Sequence, residues 1–101
     1  APVIDLLPYE AKLDVRPLEQ IDLVVIHCTE LPDMALAREY GERILHASGT
    51  GNSGHYYIDR DGTVHVYVRP QHVAHHVRGY NPRSIGMAQL SSLTGIRNPR
   101  W

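Results

Sequence analysis

The sequence predicts an α/β fold, and three observations carry that expectation. A β-branched, almost uninterrupted apolar run, IDLVVIHC, occupies residues 21–28. Apolar residues then recur at helical spacing over 33–47, and two β-forming runs flank an Asp61-Gly62 pair. A strand, a helix and a hairpin in that order can build a sheet with a helix packed against it.

Residues 1–20 carry Pro2, Pro8 and Pro17 among scattered apolar residues. Proline fixes φ and removes a backbone donor, so this stretch reads as an extended N-terminal arm. The run at 21–28 lacks polar alternation and reads as a central strand buried on both faces, with Cys28 a small core residue. Asp33 can cap a helix from about 33 to 47 through Leu36, Ala37, Tyr40, Ile44 and Leu45. The glycines of SGTGNSG, residues 48–54, stop that helix and form a loop. The hairpin follows, with Val64, Val66 and Val68 on a buried face and His65 and Tyr67 on a more polar one, which predicts a half-covered sheet. Pro70, Gly79 and Pro82 mark residues 69–83 as a long loop bearing His72, His75 and His76. Residues 84–90 (SIGMAQL) form one more strand, and 91–101 read as an irregular tail.

A length of 101 residues and a hydrophobic share of 43% fit one globular core. No apolar run approaches the ~20 residues that span a bilayer, so no membrane span is expected and the chain reads as soluble. Ten Lys and Arg against eleven Asp and Glu give a net charge of -1, too little field for a nucleic-acid partner. Cys28 is the only cysteine, which rules out an internal disulfide. The sequence opens at Ala1 with no signal-peptide pattern and leaves the compartment unassigned.

Histidine is the unusual residue. There are seven, against no phenylalanine, and six of them fall between positions 46 and 76. Protonating all seven would move the formal charge from -1 to +6, so pH response and metal binding both stay open. His27 ends the apolar run, where α/β sheets place ligand crevices, and reads either as a metal ligand or as a satisfied core or edge histidine. Its neighbour Cys28 must point to the opposite face, so the two cannot form a nucleophile and base couple. His72, His75 and His76 have spacings that could serve a metal on a helix, but their flanks favour a loop lining a cleft. His55 and His65 read as cross-strand packing. Residues 49–54, GTGNSG, match the dinucleotide fingerprint in letters, yet they follow a helix and precede a strand, the reverse of the working order.

Four blocks agree in order with one family. VVIHCT at 24–29, GHYYIDRDGTV at 54–64, AHH at 74–76 and GYNPRSIGM at 79–87 together resemble the zinc-dependent N-acetylmuramoyl-L-alanine amidases, the type that includes phage lysozyme-like amidases and peptidoglycan-recognition proteins. The resemblance covers about residues 21–90 as an amidase-like core, lacking the C-terminal part. It implies a mixed β-sheet with a flanking helix and a zinc ion in a groove that binds peptidoglycan or muropeptide fragments. The implied reaction is hydrolysis of the amide between N-acetylmuramic acid and L-alanine. His27 matches the first zinc ligand. His76 matches the groove histidine, His75 stands where a Trp usually precedes it, and with Asn81 these make the implied substrate-binding set. His55 matches the motif histidine of the hairpin strand, in a structural role.

The departures are equally specific. Members with a catalytic Glu carry it two residues after the glycine of S-I-G, where this chain has Ala88; a slip of one residue offers Gln89, which is no base. Members with a catalytic Tyr carry it before the hairpin histidine, at Gly54 here. The catalytic residue is therefore unassigned, and the later zinc ligands belong to a segment beyond Trp101. Three readings follow: a shortened amidase, a non-catalytic peptidoglycan-binding module, or a histidine-rich structural zinc protein in which the loop histidines join His27. A sheet face without its flanking helix also predicts a marginal or homo-oligomeric fold. Envelope, cytoplasmic and phage-encoded settings are all compatible with the sequence.

Overall fold

A computed structural model describes residues 1–29, 31 and 33–90. Among these residues five strands form one sheet: β1 Val3–Ile4, β2 Leu23–Thr29, β3 Tyr56–Ile58, β4 Val64–Val66 and β5 Ser84–Leu90. Their order is β1-β4-β3-β5-β2, with β3 and β4 antiparallel and the other three pairings parallel. The sheet is therefore mixed, with helix α1, Met34–Glu42, as the one α-helix among the described residues. The irregular tail expected at 91–101 lies outside the described residues.

The strand at 21–28 is not central, as its composition suggested. β2 is an edge strand, and β5 lies inside it. Burial alternates along β2, leaving Val24 and Ile26 exposed at 56% and 65%. Cys28 shares that open face and is exposed rather than packed in the core. An apolar run states that a strand can be buried twice over; whether it is depends on what covers the second face.

The hairpin closes as its sequence dictates. Gly62 takes φ +88, and the Thr63 carbonyl accepts from Asp59 N at 2.9 Å. The more polar face assigned to His65 and Tyr67 is corrected at Tyr67, which is 2% exposed. Its ring packs 4.4 Å from that of Tyr57, and the Arg38 guanidinium of α1 lies over it at 4.7 Å. In a chain without phenylalanine, tyrosines fill the core and α1 covers them.

Asp33 caps α1, its Oδ1 accepting from Leu36 N at 2.9 Å. The helix ends at Glu42 rather than near 47. Tyr9 donates its hydroxyl to the Gly41 carbonyl, the acceptor a further turn would need, and Leu45 N turns instead to Thr50 O. The first twenty residues lay Leu7, Tyr9 and Leu13 into the core and pair β1 with β4.

Candidate functional site

The site is built where β2 and β5 run in parallel register. His27 lies opposite Ala88, both on the sheet face that carries the core. The neighbouring Gln89 pairs with Cys28 on the other, exposed face, so a one-residue slip cannot bring it to His27. The loop between β4 and β5 then folds back over β5. Asn81 holds its bend, Oδ1 accepting from His76 N at 3.0 Å and from Val77 N at 2.8 Å.

That bend delivers His76 to His27. His27 Nε2 and His76 Nδ1 stand 3.1 Å apart, with the rings edge to face. On its far side His76 Nε2 meets the Ser84 hydroxyl at 2.9 Å. Burial pushes His76 down to about 3, helped by the neighbouring His27, His55 and Arg16. Burial also lowers His27. Both rings are neutral at physiological pH, so the contact is a hydrogen bond between imidazoles.

Behind them His55 is fully buried. Its Nδ1 accepts from Gly86 N at 3.1 Å, which leaves the proton on Nε2 to donate to His72 O at 2.8 Å. His55 thus ties β5 to the histidine loop instead of packing across the hairpin; His65 is the one that pairs across strands, with Tyr57. Arg16 joins from the N-terminal arm. It is 3% exposed and donates through Nε to Pro70 O and through Nη1 to Asn81 O and Pro82 O. Nothing in the local sequence marks Arg16, because its partners, these carbonyls and the His55 ring 3.2 Å from Nη2, lie thirty-nine or more positions away.

The three loop histidines go three ways. His72 turns its Nδ1 to Leu13 O at 3.3 Å, and its Nε2 lies 3.7 Å from Glu10. His75 packs against His46 with centroids 4.9 Å apart, its buried Nδ1 without a hydrogen-bond partner among the described residues. Only His76 reaches His27. In front of these side chains lies a groove of about 760 Å³, bounded by Tyr40 and Arg43 on the α1 side and by His75, His76, Arg78 and Asn81 on the loop side.

A catalytic zinc needs three protein donors. His27 and His76 offer two nitrogens at a separation close to that between neighbouring ligands on a tetrahedral ion with bonds of ~2.0 Å. Among the described residues, however, no three His, Cys, Asp or Glu side chains converge. A complete zinc site does not fit the described residues. Gly54, where some members of the resembling family carry Tyr, sits so close to β5 that a Cβ would lie 3.0 Å from Gly86 O.

The family described as N-acetylmuramoyl-L-alanine amidase matches residues 17–99. The N-acetylmuramoyl-L-alanine amidase LysC from Clostridium intestinale URNW is 23% identical, with a TM-score of 0.69 over 99% of this chain and 67% of that one. The endolysine N-acetylmuramoyl-L-alanine amidase LysCS from the same organism is 21% identical, with a TM-score of 0.63 over 98% of this chain and 65% of that one. At these identities the likeness is one of fold, and the chain spans about two thirds of the length of these solved relatives. No curated protein matches the sequence.

Proposed function

Because the chain belongs to the N-acetylmuramoyl-L-alanine amidase family, we propose that it acts on peptidoglycan, seating in its groove the junction between N-acetylmuramic acid and the L-alanine of the stem peptide. One observation carries the reading. His27 and His76, from a strand and a distant loop, meet at 3.1 Å beside a groove of about 760 Å³, a size suited to a glycopeptide fragment. Neutral imidazoles can donate to or accept from an uncharged amide without the cost of burying a charge. In this reading His27 is the metal-facing residue, and His75, His76 and Asn81 form the wall that holds the substrate.

Zinc-dependent cleavage of the amide is the finer part of the proposal. A second reading, recognition without cleavage, draws support from Ala88, which lies beside His27 at the position where members with a catalytic Glu carry it. A methyl group moves no proton, and a ring with a pKa of about 3 is a poor base toward water at neutral pH.

Incubation with muropeptides and zinc, read by chromatography alongside calorimetric binding, decides between them. Release of stem peptide from glycan establishes cleavage, and binding without release establishes recognition alone. Absence of both overturns the proposal.

A further inference from the structure

The described lining of the groove is cationic although the chain is not. Net charge is -1, yet the described residues lining the groove include Arg43 and Arg78 and no carboxylate. Other guanidiniums are neutralised in place: Arg69 by Glu10 at 2.7 Å and Arg83 by Asp22 at 2.6 Å. Arg78 differs. It follows His76 by two residues, is exposed, and has no hydrogen-bond or ion-pair partner among the described residues.

Arg43 is restrained without being neutralised. Its guanidinium stacks over the Tyr40 ring at 4.3 Å, and its contact with Glu39 is long, 3.8 Å, between side chains that are 53% and 64% exposed. A surface pair of that kind yields readily to a better acceptor. Between helix and loop, the groove therefore presents two planar five-donor groups suited to forked binding of a carboxylate.

We propose that Arg43 and Arg78 form a carboxylate subsite on the groove, separate from the His27–His76 pair, which takes an acidic residue of the stem peptide. This rests on the groove being the peptidoglycan site. A stem peptide whose acids are free then binds in preference to one whose acids are amidated, and the preference weakens as salt rises.

The test compares two probes by calorimetry in buffer containing EDTA, which keeps them intact. One is N-acetylmuramoyl-L-alanyl-D-glutamate with both carboxylates free; the other is its diamide. The expected result is about tenfold tighter binding of the diacid, falling to about twofold in Arg78→Gln and vanishing in the Arg43→Gln/Arg78→Gln double variant. Both residues are exposed or half-exposed, and circular dichroism verifies that the variants stay folded. Equal binding of the two probes, or a preference that survives the double variant, overturns the subsite and leaves the groove reading standing. Failure of both probes to bind wild-type protein overturns both.

Discussion

The His76 imidazole packs so tightly over Gly86 that a Cβ there would lie 2.6 Å from the ring. Gly86 does not adopt a positive φ, so glycine is required for space and not for backbone freedom. The ring's place, and with it the 3.1 Å contact to His27, depends on a single absent methyl group. Gly86→Ala should push the ring out, cost about 1–3 kcal/mol of stability and weaken muropeptide binding. Unchanged His27 and His76 ring proton shifts in the variant would refute this.

Arg16 carries the next prediction. Its guanidinium satisfies the carbonyls of Pro70, Asn81 and Pro82, the two ends of the histidine loop. Arg16→Met keeps much of the buried volume and removes the side-chain donor to Pro70 O, at roughly 1–3 kcal/mol where water cannot reach it, while Asn81 O keeps Ser84 N and Pro82 O keeps Gln20 Nε2. Urea unfolding should show a loss of about 1–3 kcal/mol, with faster amide exchange across 70–82. A loss under about 1 kcal/mol would mean that the arm merely rests on the loop.

What could be read from the sequence was what neighbouring residues decide. Asp61-Gly62 encodes the hairpin turn, and Asp33 encodes the start of α1, because each acts within a few positions. The end of α1 was hidden, since Tyr9 takes the Gly41 carbonyl from thirty-two positions away. Strand periodicity separated His27 from Cys28 but could not say that β2 forms an edge or that the Cys28 face stays open. At the site, motif order led to His27 and His76. Their contact, and the buried Arg16 behind them, depend on chain crossings that no local pattern records.

The open face of β2 bears on association. Val24 and Ile26 are more than half exposed on an edge strand of seven residues, and such edges recruit further strands. Sedimentation should show self-association that grows with protein concentration. Ile26→Lys should suppress it while changing stability by no more than about 0.5 kcal/mol. A wild-type protein that stays monomeric at high concentration would contradict the prediction.

Acid sensitivity follows from His55. Burial pushes this ring down to about 4, with Arg16 and His72 adding repulsion and the hydrogen bond to His72 O opposing it; His76 packs 5.9 Å away. In the unfolded chain the same ring titrates near 6.5. Between these values the unfolded state holds the extra proton, so acid favours unfolding. The contribution is complete above pH 6.5 and drains away as pH falls toward 4. From pH 6.5 to pH 5 that is about 1.5 units at ~1.36 kcal/mol each, or about 2 kcal/mol. His55→Asn retains an acceptor for Gly86 N but no titrating ring. Urea unfolding at pH 7 and pH 5 should therefore show the wild type losing about 2 kcal/mol more than the variant. Equal losses would mean that His55 takes up its proton without disturbing the fold.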